Sequence, residues 1–544
     1  MSITRDIVII GGGHNGLVAA FYLAQAGLKP LVLEGRPAVG GAAITDEVHP
    51  GFKCSTLAHT TGPLSRKIAQ DMRLASHGLE MLQPEVRVFA PTPDGRPLLL
   101  FEDVATSARE IARFSTRDAE KFPEFHRTLA RVARMIAFVA AQTPPSVDKP
   151  STDDLWNMLK AAKEFRRLGK REMFRLLRWG PMPVADLVAE WFQTELLRAV
   201  VASRGVFGAF LGPRSAGSSA VLLLRAAADP HPAGACGFPK GGMGALTQAM
   251  AAAARQAGAE IRTGTEVSRL SVKNGSVTGV LLAGGEEISA KIVVSGADPR
   301  RTFLRLIDPV HLEPGFLVKM QNYRCLGSVA KVNLVLSGLP SFTALGDVAP
   351  GAGPTGGTLE PVSALSGRIL IAPEIDYLER AFDDAKYGSF SQRPFLDITI
   401  PSLADPSLAP RGQHVMSIYA QHAPFNLKPG GWNEQRQALG DVVVKTLSAY
   451  APDVAGLILH RQVITPHDLE EVYGLSGGHI FHGELSLDQL FTMRPLLGWA
   501  RYRAPIQRLY LCGSGTHPGA GLTGLSGANA AREVLKDLRK AQGA

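Results

Sequence analysis

A chain of 544 residues with 45% hydrophobic and 20% charged residues exceeds the size at which a single core stops growing. This predicts a globular protein of two or more lobes and excludes a disordered or fibrous one. The formal charge of +9 is a weak pointer to anionic partners, and Cys54, Cys236, Cys325 and Cys512 lie far apart with no CxxC pair, which argues against a disulfide framework, a zinc site or a redox dithiol. No metal site and no nucleic-acid partner is expected. With no run of about 18 apolar residues and only Met1 to Arg5 ahead of the first apolar strand, neither a membrane span nor a signal peptide is expected, and the predicted location is cytoplasmic.

In chain order, the first element is a β-branched run, Ile7 to Ile10, entering Gly11, Gly13 and Gly16 at GxGxxG spacing. Leu17, Ala20, Phe21 and Ala24 then recur on one helical face, Gly27 stands at the helix end, and a second strand, Leu31 to Leu33, ends at Glu34. This is a dinucleotide-binding unit. Gly11 permits the turn, Gly13 the approach of a pyrophosphate and Gly16 helix packing, while Glu34 is placed to accept from a ribose. Arg36 and the doublet Gly40, Gly41 follow at once, a second glycine turn that a purely nicotinamide-binding unit does not need.

Thr45 to Pro63 is expected to line the path inward from this unit, with His59 as its one near-neutral titrating group, although a structural or surface histidine is the plainer expectation. From about Ser76 to Pro232 a helical lobe is predicted, with helical spacing over 107–140 and 152–179 separated by Pro144, Pro145 and Pro150. Within 160–178, eight Lys or Arg residues interleave with Leu159, Phe165, Leu168, Phe174, Leu176 and Leu177. A solvated face or a subunit contact is the simpler expectation, and contact with an anionic membrane surface is the alternative. GFPKGGMG (237–244) precedes an alanine-rich helix and then a meander, 266–272, 277–282 and 288–294, turning at Asn274-Gly275. Residues 310–472 predict a mixed sheet with strands at 331–336, 395–400 and 414–420, the floor of a substrate cavity with no visible catalytic motif. Asp376, Glu379, Asp383 and Asp384 read as a solvated helix face. Finally, strand 509–511 enters a second glycine-rich loop, CGSGTHPGAGLTGLSG, and then a helix carrying Ala531, Val534, Leu535 and Leu538 on one side.

The segments IIGGGHNGLVAA, LEGRPAVGGAA, GFPKGGMGAL and LYLCGSGTHPGAGLTGLSGANAA are together similar to the phytoene desaturase and carotene ketolase group of FAD enzymes. The likeness is greatest to the branch containing pyridine nucleotide-disulfide oxidoreductase domain-containing protein 2. It implies an α/β fold: a Rossmann-type FAD-binding domain of the glutathione-reductase and amine-oxidase type, assembled from segments 1–75, 236–310 and 476–544. It further implies an α+β substrate domain from a helical lobe (76–235) and a sheet (311–475). By the same resemblance FAD is bound through Gly11, Gly13, Gly16, Glu34, Arg36, Gly40, Gly41, Val267, Gly513, Ser514, Gly521, Leu522 and Thr523. Ser514 stands where many relatives have an acid, and Lys240 where the branch often has one. The implied activity is that of an FAD-dependent oxidoreductase of desaturase or dehydrogenase type, taking hydride from a lipophilic small molecule and reoxidised by oxygen or a quinone. A ketolase, an isomerase and a non-catalytic FAD-binding regulator are the alternatives. His517, His59 and Lys240 are the flavin-face candidates, and a second nicotinamide-binding unit is not apparent. Peripheral membrane contact and homo-oligomerisation stay open.

Overall fold

The computed structural model describes residues 5–542 apart from 61, 63, 93–94, 348–359, 429 and 520. Met1 to Thr4, part of the short lead ahead of the first strand, lie outside the described residues.

Two seven-stranded sheets carry the fold. In the first, β1 (Arg5–Ile10) pairs in parallel with β2 (Pro30–Leu33) on one side and with the strand Glu287–Ser295 on the other. Glu260–Arg262 extends the sheet beyond β2, and Leu509–Leu511 pairs in parallel with Glu287–Ser295. The early half of that long strand instead starts an antiparallel meander with Ser276–Leu282 and Val267–Lys273. Its turn has Asn274 and Gly275 at φ 51° and 72°, the left-handed pair that a tight hairpin requires. α1 (His14–Gln25) connects β1 to β2, and its apolar side joins one core with Met250 and Ala253 of the Met243–Gln256 helix and Ala530 and Val534 of the Leu525–Gln542 helix. Segments hundreds of residues apart thus meet around α1, because each contributes an apolar stripe that only the others cover.

The second sheet runs in the order Ile458–Ile464, Val329–Leu336, His414–Gln421, Phe395–Thr399, Arg368–Ile371, Val86–Ala90 and Leu98–Phe101. Its neighbours are antiparallel except for Arg368–Ile371 against Val86–Ala90. Two of these strands come from the stretch predicted to be helical: VRVFA and LLLF are short, continuous apolar runs in which periodicity cannot tell strand from buried helix. One face of this sheet, with Ala330, Val332, Leu334 and Ile398, packs beneath the Gly431–Ser448 helix. The opposite face, with Val329, Phe395 and Tyr419, meets the helices Glu195–Val206 and Ser218–Ala226. The predicted long helix over 152–179 is two helices, Thr152–Arg167 and Lys170–Trp179, broken at Gly169 with φ +80°.

Candidate active site

A cavity of about 440 Å³ runs from the β1–α1 loop to the face of the second sheet. At its first end Gly11, Gly13 and Gly16 open onto α1, whose N-terminus carries no side-chain cap and so leaves its amide donors free. A Cβ on Gly16 would stand 2.2 Å from the Gly11 carbonyl oxygen, so only glycine lets α1 approach the strand end. Glu34 Oε2 accepts from the Gly12 N–H at 2.8 Å and Oε1 from the Arg36 N–H at 3.0 Å. The carboxylate therefore braces the glycine turn while still bordering the cavity.

The second glycine turn abuts the first. Gly40 donates its N–H to the Gly12 carbonyl at 2.9 Å, and a Cβ on Gly41, itself at φ +60°, would come within 3.2 Å of the Gly13 Cα. Arg36 donates to the Gly41 carbonyl at 2.6 Å and lies 5.3 Å from the Tyr473 ring centre. From the far end of the chain, Gly513, Ser514, Gly521 and Leu522 reach the same cavity, and Val267 enters it from the meander. Asn15, which sequence reasoning missed, ties the two loops: its Nδ2 donates to Ser514 Oγ at 3.2 Å and its Oδ1 accepts from the Gly527 N–H at 3.3 Å. Thr523 is off the cavity wall, where its Oγ1 accepts from the Leu525 N–H at the start of the last helix.

These groups fit FAD. Two glycine turns stand against an uncapped helix N-terminus, an acid closes the second strand, and the buried His14 Nε2 and His482 Nδ1 beside the cavity lack any protein partner. Burial holds the His14 imidazole down to about 4, with His482 adding to the effect, so it stays neutral.

The other end of the cavity is charged. Lys331, Tyr419 and Asp397 stand opposite one another on three neighbouring strands, in the register Lys331 to Tyr419 to Asp397, and Arg368 reaches Asp397 from the next strand. Arg368 donates from Nη2 to Asp397 Oδ2 at 2.6 Å and from Nε to Oδ1 at 3.1 Å, a fork that holds the carboxyl well below its usual range despite burial. Lys331 Nζ lies 2.9 Å from His59 Nδ1 and 3.9 Å from the Tyr419 ring centre. Burial pushes the Lys331 amine down to about 7. It also takes His59 down to about 4; Lys331 adds to that shift, and Asp397, 3.7 Å from His59 Nε2, opposes it. Arg204 and Arg225 enter from the helical lobe.

Of the three flavin-face candidates only His59 borders the cavity. His517 is buried with Nε2 3.2 Å from the Val139 carbonyl, because the side chain of that loop residue turns outward against the Thr116–Ala140 helix. Lys240 is exposed and ion-paired to Glu80 at 2.9 Å, since the turn that carries it faces solvent. The expectation that residues 310–472 hold no chemistry is corrected by Lys331, Arg368 and Asp397. Each is a lone charge inside an otherwise apolar strand, a signal legible in AKVNLVL, RILI and FLDITI.

A Rossmann-type sheet with glycine loops from both ends of the chain, facing a second sheet across one cavity, defines an FAD-dependent oxidoreductase of the amine-oxidase fold. The chain belongs to the family described as flavin containing amine oxidoreductase, whose pattern matches residues 16–535, and FAD is its cofactor. It is similar to pyridine nucleotide-disulfide oxidoreductase domain-containing protein 2 of Rattus norvegicus, with 38% identity covering 98% of this chain and 94% of that one. It also resembles a limonene dehydrogenase of Castellaniella defragrans (26%, covering 98% and 95%) and the neurosporene-forming phytoene desaturase of Cereibacter sphaeroides (26%, covering 98% and 94%). The resemblance read from the sequence motifs is borne out. Among solved structures, an oxidoreductase from Methanosarcina mazei shares the fold with a TM-score of 0.60 at 14% identity, covering 98% of this chain and 100% of that one.

Proposed function

We propose that this oxidoreductase takes hydride from a carbon centre of a lipophilic small molecule, as a desaturase or dehydrogenase does, and passes the electrons to oxygen or a quinone. The observation that carries the reading is the single cavity joining both glycine loops to an enclosed, partly apolar chamber walled by Phe207, Val329, Ile480 and Phe481. Relatives named for acting on limonene and phytoene support a lipophilic substrate.

In this reading FAD, when bound, supplies the hydride acceptor. Gly11, Gly13 and the N-terminus of α1 hold its pyrophosphate, braced by Gly40, Gly41 and Arg36; Glu34 takes the ribose and Val267 the adenine side. Gly513, Ser514, Gly521 and Leu522 take the flavin end, with Thr523 fixing the start of the helix behind them. The second sheet and the helical lobe exclude water. A proton released during oxidation is held between Lys331 Nζ and His59 Nδ1, a pair that faces the cavity near neutrality. Anaerobic titration of the FAD-loaded protein with alkenes, amines and NADPH tests the reading. Bleaching of the flavin spectrum by a lipophilic alkene or alcohol supports it, and bleaching only by NADPH or an amine contradicts it.

The surface adds a second element. In the helices Thr152–Arg167 and Lys170–Trp179, Trp156, Leu159, Phe174 and Leu177 are each more than 60% exposed, flanked by the exposed Lys160, Lys163, Arg166, Arg167, Lys170 and Arg171. A cationic rim around unburied aromatic and aliphatic side chains matches an anionic bilayer surface, and we propose that this pair of helices rests there.

A further inference from the structure

We infer that the substrate of this cavity carries a carboxylate, and that Arg225 is the group that receives it. The inference rests on the reading of the cavity as the substrate site and names the substrate class within it.

Four cations line the inner end: Arg204, Arg225, Lys331 and Arg368. Asp229 and Asp397 are the carboxylates lining the same end, and each is committed. Asp397 is forked by Arg368, and Asp229 accepts from Arg87 at 2.7 Å. Arg204 is spent on main-chain carbonyls, donating to those of His231 and Asp229. Lys331 is paired with His59 and almost wholly covered.

Arg225 is different. It projects from the Ser218–Ala226 helix, lies deep in the protein and keeps accessible surface because it borders the cavity. Its contact is with the face of Phe207, 4.7 Å from guanidinium carbon to ring centre, and among the described residues its guanidinium donates no hydrogen bond to a protein acceptor. Burial and the neighbouring Arg368 lower its pKa only to about 10, so it is charged at neutral pH.

A buried cation left without an acceptor is costly, and an anion brought by a ligand relieves that cost. The planar fork of a guanidinium matches the two oxygens of a carboxylate, and the aromatic wall beside it suits the chain that follows. The geometry therefore points to a lipophilic acid, its head group at Arg225 and its hydrocarbon running along Phe207, Val329 and Phe481 toward the glycine loops. An amine would instead meet a cavity end that is already positive.

Calorimetric titration of the FAD-loaded protein with octanoate, 1-octanol, octylamine and octyl phosphate, read in parallel by perturbation of the flavin spectrum, tests this. Octanoate is expected to bind at least roughly tenfold more tightly than the other three, a ratio set by one charge-assisted pair. Arg225→Gln is expected to remove that preference and leave 1-octanol binding unchanged, and Arg225→Lys to restore part of it. Equal binding of octanol or octylamine, tighter binding of octyl phosphate, or undiminished octanoate binding by Arg225→Gln overturns the inference. Should Arg225→Gln fail to fold, the ranking of the four probes on the unmodified protein decides alone. A protein that holds FAD but shows no octanoate preference refutes this assignment, whereas one that holds no FAD refutes the cofactor site.

Discussion

Replacing Lys331 by methionine removes an amine while keeping an apolar stem of similar length. The folded amine titrates at about 7 against its ordinary 10.5, and at ~1.4 kcal/mol per pH unit that gap corresponds to a cost on the order of 5 kcal/mol for holding the charge in the fold. Below about pH 7 the amine is charged in both folded and unfolded chains, and the full cost applies. As the pH rises from about 7 toward 10.5 the folded amine is neutral while the unfolded one still binds its proton, so folding of the parent becomes steadily more favourable and the cost fades. Lys331→Met is therefore expected to be more stable than the parent at pH 7, with the advantage shrinking by about 2 kcal/mol between pH 7 and pH 9. Urea unfolding of both FAD-saturated proteins at pH 7, 8 and 9 measures this, and groups other than Lys331 cancel in the difference. A stability difference that stays constant over that range would refute the claim that the amine is buried and depressed.

Asp397→Asn leaves the Arg368 guanidinium buried without its carboxylate and is expected to cost about 3–5 kcal/mol, read from the denaturation midpoint; a loss below about 1 kcal/mol would show that the pair contributes little. Gly16→Ala places a Cβ 2.2 Å from the Gly11 carbonyl, so α1 must retreat, and FAD affinity measured by fluorescence quenching is expected to fall at least roughly tenfold. Wild-type affinity in that variant would refute the close approach. The quadruple change of Arg166, Arg167, Lys170 and Arg171 to glutamine removes about 1 kcal/mol of attraction per cation at an anionic surface. Co-sedimentation with phosphatidylserine vesicles should be lost, and unchanged sedimentation would remove the case for membrane contact.

The cofactor half of the site was legible in the sequence because its determinants are local. Gly11 to Glu34 combine glycine spacing, a helical apolar stripe and a terminal acid within one continuous stretch, and the Asn274-Gly275 turn dictates its hairpin without outside help. The substrate half was not legible because it is assembled by register. Lys331, Tyr419 and Asp397 become neighbours only when three strands from separate parts of the chain pair, and Arg225 meets them from a helix of another lobe. The same limit explains His517: its position inside a glycine loop is visible in the sequence, but the direction of its side chain depends on packing against Val139, 378 residues away.

The most direct test of the account is the FAD content of the purified chain, measured from the visible spectrum and from flavin released on unfolding, before and after incubation with excess FAD. Stoichiometric FAD, retained by the parent and weakened by Gly16→Ala, is the predicted result. A chain that takes up no flavin from excess FAD would contradict the account at its centre.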